Sequence, residues 1–267
     1  MKKINQEFEA EREFESERNG EMGLEQPVVV PRPAKDSFKT SEASEATETS
    51  DAPEISDVEM EEEMIDLYQT IESLLPDSEK KAIQFIGSKE GEGTSTIVRQ
   101  FAKVASGKFG KSVLLLDTDM QKTSQFLFFD IKSGYSLEES FRDGVPLEKA
   151  LCQIAESRLF VVRTFAQPVT SAALQASDPL NRGDFWENLK QRFDFILVDS
   201  LPASVSTNGM AFPRKVDGVV LVLEAEKTRW QVVESVKDKI LKSGGKILGI
   251  VFNKRRYYIP KFIYKGL

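Results

Sequence analysis

A short apolar run, residues 82–87, ends in Ser88-Lys89-Glu90-Gly91-Glu92-Gly93-Thr94-Ser95-Thr96, and helical periodicity starts at once. A glycine-rich turn between a strand and a helix points successive backbone N–H groups inward, with the positive end of the helix dipole behind them, and that suits a phosphate. Ser95 and Thr96 put hydroxyls at the helix start, where such a loop places a Mg²⁺ ligand and a further phosphate donor. Two more apolar runs end in acids: 112–117 closes on Asp117, with Asp119 two residues on, and 194–199 closes on Asp199. Carboxylates at the carboxyl ends of buried parallel strands lie where open α/β sheets bind ligands. A last run, 248–253, ends in Asn253, whose amide can hydrogen-bond a base. The set describes a magnesium-nucleotide site.

Loops of the Gly-x₄-Gly-Lys-Ser/Thr kind carry a lysine immediately before the hydroxyl pair, and here Thr94 stands there. Taken alone, the turn also fits a tight strand-to-helix connection, so the acids on separate strands carry the argument. A hydrogen bond to a charged group is worth about 1.5–3 kcal/mol, so its loss weakens nucleotide binding about 10- to 150-fold. Removing a donor that offsets transition-state charge costs about 10²- to 10³-fold in rate. Binding is expected to survive the change better than catalysis.

The 267 residues include no histidine, which removes Ser-His, Cys-His and His-ligated metal mechanisms, and one cysteine, Cys152, which excludes a disulfide framework or a multi-Cys zinc site. Apolar runs such as 219–223 fall well short of the roughly 18 residues of a membrane span. Met1-Lys2-Lys3 leads into Glu-rich sequence rather than an apolar signal region, so the expected compartment is the cytosol. Charge is uneven: residues 1–64 hold 7 Lys+Arg against 19 Asp+Glu, a net of −12 in a chain of net −7. That stretch is rich in Ser, Thr and Pro and poor in apolar residues, so 1–58 is expected to be a disordered acidic tail.

The elements that must position these residues follow from periodicity. Met60, Met64, Leu67, Ile71 and Leu74 recur at helical spacing and Pro76 closes the run, predicting an amphipathic helix over 59–75. Strands are expected at 82–87, 112–117, 158–163, 194–199, 217–223 and 246–253, and helices at 96–106, 183–192 and 228–242. Alternation of continuous apolar strands with helices predicts an α/β fold, a mostly parallel sheet covered by helices on both faces, and the glycine-rich loop after its first strand makes the expected fold phosphate-loop NTPase-like. The organisation is a tail (1–58), a helix leading into the domain (59–76) and the domain itself (77–267).

These segments resemble the cytoplasmic domain of the bacterial tyrosine kinases of capsule and exopolysaccharide synthesis, a branch of the deviant phosphate-loop ATPases that includes the Min-type and Par-type proteins. The resemblance runs from about residue 59 to the C-terminus and rests on Gly91-Glu92-Gly93 with Ser95-Thr96, Asp117-Thr118-Asp119, the run 193–199 with Pro202, the run 216–222, and Gly249-Ile250-Val251-Phe252-Asn253. It implies Mg-ATP on the loop from Lys89 to Thr96. Ser95, Asp117 and Asp199 then serve the metal, Asp117, Asp119 and Asp199 organise the attacking hydroxyl with Asp117 as base, and Asn253 lies near adenine. Tyr257, Tyr258 and Tyr264 are the implied phosphoacceptors. Lys89 stands where Min-type and Par-type relatives carry a signature lysine; as a replacement cation it competes with the reading of an incidental surface lysine. Gln121 stands where the family's second acidic motif usually ends in arginine, and no Lys or Arg occurs over 59–79, so the Glu-x-x-Arg-x-x-Arg self-assembly pattern is missing.

The implied partner is an inner-membrane polysaccharide co-polymerase or chain-length protein, with the chain peripheral at that membrane and self-association a further option. Residues 254–265 carry five positive charges, Lys254, Arg255, Arg256, Lys261 and Lys265, among Tyr257, Tyr258, Phe262 and Tyr264. That composition fits packing against the sheet edge, docking on an anionic membrane surface, or an acceptor tail, with nucleic acid last. Two other functions stay open beside the kinase-like ATPase: an inactive scaffold or regulator of the polysaccharide complex, and a Min-like or Par-like positioning ATPase.

Overall fold

The computed structural model describes residues 28–30, 57–119, 124–132, 134–165, 183–205 and 212–255. Eight strands form one sheet: β1 (Val28–Val30), β2 (Lys81–Gly87), β3 (Val113–Asp117), β4 (Cys152–Ile154), β5 (Leu159–Arg163), β6 (Phe195–Asp199), β7 (Gly218–Glu224) and β8 (Ile247–Asn253). Their order is β1-β4-β5-β3-β6-β2-β7-β8, and every pair is parallel except β4 with β5. Among the described residues seven helices accompany them: α1 (Asp57–Leu74), α2 (Thr94–Gly107), α3 (Ser124–Phe128), α4 (Leu137–Asp143), α5 (Leu147–Ala150), α6 (Gly183–Arg192) and α7 (Trp230–Lys242).

Both faces of the sheet are covered, as the unbroken apolar strands require. On one side α1 and α2 bring Met64, Tyr68, Ile71, Ile97 and Phe101 onto Phe85, Leu115, Phe195 and Leu197. On the other, α6 lays Phe185, Trp186 and Leu189 against Leu114, Leu116 and Val198, and α7 lays Val236 and Ile240 against Ile86, Val219 and Leu221. Phe101 is wholly buried, its ring 5.7 Å from Phe85 and 5.8 Å from Phe195. Acids fix the strand starts: Asp217 accepts from the Ala82 N–H at 2.7 Å and Asp194 from the Ser112 N–H at 2.7 Å.

Each strand read from the sequence is present to within a residue at either end. Two features depart from expectation. Val28–Val30 pairs in parallel with Cys152–Ile154 at the sheet edge, inside the stretch expected to be disordered, because three consecutive β-branched residues fit a pleated edge whatever their acidic surroundings. Helix α1 also begins at Asp57, so its first turn reaches into that stretch; the rest of 1–58 lies outside the described residues. Among the described residues no helix is long and apolar enough to cross a membrane.

Candidate nucleotide site

The loop from Ser88 to Gly93 joins β2 to α2, and two of its residues take the left-handed conformation that glycine adopts freely: Gly91 at φ +81° and Gly93 at φ +88°. Gly93 is constrained twice, because a Cβ there would lie 2.1 Å from Asn253 Nδ2. Glu92 between them is buried. Its carboxylate accepts from the Ser88 N–H (2.5 Å), the Ser88 hydroxyl (2.8 Å), the Lys89 N–H (3.0 Å) and the Thr228 hydroxyl (2.6 Å). The Glu92 side chain is therefore a staple that closes the loop on itself. Gly93 caps α2 without a side-chain bond, and among the described residues nothing accepts from the N–H groups of Glu92, Gly93, Thr94 and Ser95. Four such donors at a helix start form a cradle for an anion.

The acids lie beside this cradle. Register pairs Asp117 with Asp199 on adjacent strands, and Asp199 with Phe85 on the other side. Asp117 is buried, and its oxygens accept from the Asp119 N–H (3.1 Å) and the Gln125 N–H (3.0 Å). Burial, with Asp199 next to it, pushes its carboxyl up to about 7. Asp199 is buried too, and desolvation lifts it to about 6 against the pull of a 2.7 Å hydrogen bond from Gln125. Its second oxygen, Oδ1, is buried with no hydrogen-bond partner among the described residues. Gln125, which the sequence reading passed over, connects these groups; its signal lay only in following Asp117-Thr118-Asp119 closely enough to fold back on it.

A cavity of about 210 Å³ is lined by the loop from Lys89 to Thr96 together with Asp119, Ser124, Asp199 and the turn from Ser200 to Pro202. It is smaller than the usual small-molecule cleft, which matches a polyphosphate better than a whole nucleotide. Asp117 stands behind it and is not part of its lining. The Thr94 hydroxyl turns back over Gly87, where a Cβ would meet it at 2.8 Å. Among the described lining residues Lys89 is the one cation. Lys227, hydrogen-bonded to Glu224, holds that carboxyl below its ordinary range, with Lys254 and Lys89 adding to the effect. Lys254 also donates to the Gly91 carbonyl at 2.6 Å, a loop contact the sequence did not suggest. Asn253, expected near a base, donates instead to the Glu92 carbonyl at 2.8 Å and accepts from the Lys254 N–H at 2.9 Å, so both ends of its amide are engaged inside the protein. Tyr257, Tyr258, Tyr264 and Gln121 lie outside the described residues.

The residues present fit Mg²⁺ with a nucleotide phosphate. Free N–H groups await an anion, and a buried carboxylate oxygen without a donor stands ready for a cation or its water. No three carboxylates converge on a metal cage among the described residues.

No family model matches the chain. The tyrosine-protein kinase CpsD of Streptococcus pneumoniae is 29% identical over 188 residues, covering 68% of this chain and 79% of that protein. The kinase domain of the Escherichia coli tyrosine kinase ETK superposes with a TM-score of 0.66 at 18% identity, over 74% of this chain and 78% of that one. In sequence the chain is similar to bacterial tyrosine kinases, and it has the fold of their kinase domains. The domain also shares its fold with the septum site-determining protein MinD of Pyrococcus horikoshii, solved with Mg-ADP, at a TM-score of 0.53 and 22% identity over 70% of this chain and 77% of that one. It also matches the succinoglycan biosynthesis transport protein ExoP of Rhizobium meliloti, 24% identical over 186 residues, 68% of this chain but 23% of ExoP.

Proposed function

We propose that this chain is a nucleotide-binding, tyrosine-kinase-like module of exopolysaccharide or capsule synthesis in which phosphoryl transfer has been weakened. The observation that carries the reading is the row of four N–H groups, Glu92 to Ser95, with no acceptor among the described residues, beside Asp199 Oδ1, which accepts no hydrogen bond among them. Bound Mg-ATP would supply the transferable phosphoryl group and the charge neutralisation around it. The protein's part is to cradle the phosphates on the loop N–H groups, to offer the Ser95 hydroxyl and Asp199 to the metal, and to keep bulk water from Asp117 and Asp199.

Two features weaken transfer. Thr94 brings no charge to the cradle and turns its hydroxyl onto Gly87. Asp117, the expected base, stands behind the cavity and is not part of its lining. The polysaccharide context is supported by the likeness to CpsD and ExoP. A membrane polysaccharide co-polymerase is the partner that the likeness to ExoP suggests, with the chain peripheral at the cytoplasmic face. The basic stretch from Lys254 is the candidate contact with that surface.

The test is incubation of the full chain with Mg-ATP, followed by mass-spectrometric mapping of Tyr257, Tyr258 and Tyr264. The native chain is expected to incorporate little phosphate and Thr94→Lys substantially more. Native phosphorylation as fast as that of Thr94→Lys would refute the weakened-transfer reading. An unphosphorylated Thr94→Lys variant that still binds nucleotide would favour the scaffold reading.

A further inference from the structure

Gln125 is completely buried, and its atoms reach Asp117, Asp199 and Arg99 at once. Its backbone N–H donates to Asp117 Oδ2 at 3.0 Å. Its Nε2 donates to the Ser95 carbonyl at 2.9 Å and to Asp199 Oδ2 at 2.7 Å, and its Oε1 accepts from Arg99 Nε at 2.9 Å. Arg99 lies one turn along α2 from Ser95, is only 8% exposed, and has its guanidinium 3.7 Å from the centroid of the Phe128 ring.

An amide can face either way, and Arg99 selects one direction. A guanidinium only donates, so the amide must turn its oxygen to Arg99 and its two N–H groups to Ser95 and Asp199. The reversed amide would set N–H against N–H and oxygen against a carboxylate among buried groups, leaving charges unpaired. Because Nε2 occupies Oδ2, the free oxygen of Asp199 is Oδ1. The same amide ties the backbone of Ser95, and so the first turn of α2, to that carboxylate.

We propose that Arg99 and Gln125 are a positioning pair that fixes Asp199 Oδ1 and Ser95 in advance for the Mg²⁺ of a bound nucleotide. Neither residue lines the cavity; both act through Asp199 and Ser95. The inference rests on the nucleotide-binding reading above.

The experiment is calorimetric titration of ADP into the full chain with and without Mg²⁺, reading the factor by which the metal tightens binding. In Gln125→Leu that factor is expected to fall about tenfold or more, as for other outer-shell partners of metal ligands, while ADP affinity without Mg²⁺ stays within about twofold. Arg99→Met lowers the factor in the same direction, and Arg99→Lys, which keeps a donor, restores it. Equal weakening with and without Mg²⁺ would mean a general packing role and would overturn the proposal, as would an unchanged factor in both Gln125→Leu and Arg99→Met. If Gln125→Leu does not fold, the contrast between Arg99→Met and Arg99→Lys decides. A native chain that binds no ADP removes the nucleotide reading and this inference with it, whereas binding with an unchanged metal factor removes this inference alone.

Discussion

The side-chain amide of Asn253, at the end of β8, donates to the backbone carbonyl of Glu92 at 2.8 Å and so pins the phosphate loop from 161 positions away in the chain. Gly93 is left no room for a Cβ by that amide. Asn253→Ala is expected to loosen the loop and weaken ADP binding about tenfold, the worth of a lost hydrogen bond of about 1–1.5 kcal/mol, while leaving the preference for ADP over GDP unchanged. Competition titrations with the two nucleotides check this. A variant that loses the preference and keeps ADP affinity would return Asn253 to base recognition.

Glu92 fills its four contacts with a carboxylate that only accepts. Glu92→Gln leaves one oxygen for those donors and brings two new N–H groups among them. A loss of about 1–3 kcal/mol is expected from buried donors left unpaired. Denaturant unfolding measures it, and hydrogen exchange at Ser88 and Lys89 should show the loop opening first.

The acid pair makes the nucleotide-free domain sensitive to pH. Burial raises Asp117 to about 7 and Asp199 to about 6, so between about pH 4 and those values the folded form holds protons the unfolded chain has released. Stability from these groups is complete below pH 4 and is lost as pH rises through 6 to 7. The native chain is therefore expected to be more stable at pH 5.5 than at pH 8, by on the order of 2 kcal/mol from this pair. Asp199→Asn should flatten the slope and raise stability at pH 8, while losing the effect of Mg²⁺ on nucleotide affinity. Thermal melts at both values read the slope.

Phe101 tests the packing that carries α2. It is wholly buried among Phe85, Phe195 and Tyr68, so Phe101→Ala should cost about 3–5 kcal/mol. Urea unfolding is the measurement, and a cost below about 1 kcal/mol would mean that α2 is held by something other than this aromatic cluster.

Much of the fold was legible because the core strands are mostly apolar runs, four of which (β2, β3, β6 and β8) end in Gly, Asp, Asp and Asn. The loop and the acids could be found because glycine at positive φ and carboxylates at strand ends are local features. The short elements were harder. Helix α4 has a capping box in which Ser136 and Glu139 exchange hydrogen bonds, so Ser-x-x-Glu was a readable signal, but seven residues give little periodicity. The strand Cys152–Ile154, antiparallel to β5, is three residues long, too few for a period to register. Within the site the roles of Asn253, Lys254, Arg99 and Gln125 depend on contacts between segments far apart in the chain, and no spacing rule encodes them.

The most direct measurement is calorimetric titration of Mg-ADP into the full chain, run beside Thr94→Lys and Asp199→Ala. The account predicts that the native chain binds, that Thr94→Lys binds about 10- to 150-fold more tightly through one added charged hydrogen bond, and that Asp199→Ala loses most of the affinity. No binding by the native chain at millimolar nucleotide, with binding appearing only in Thr94→Lys, would contradict it.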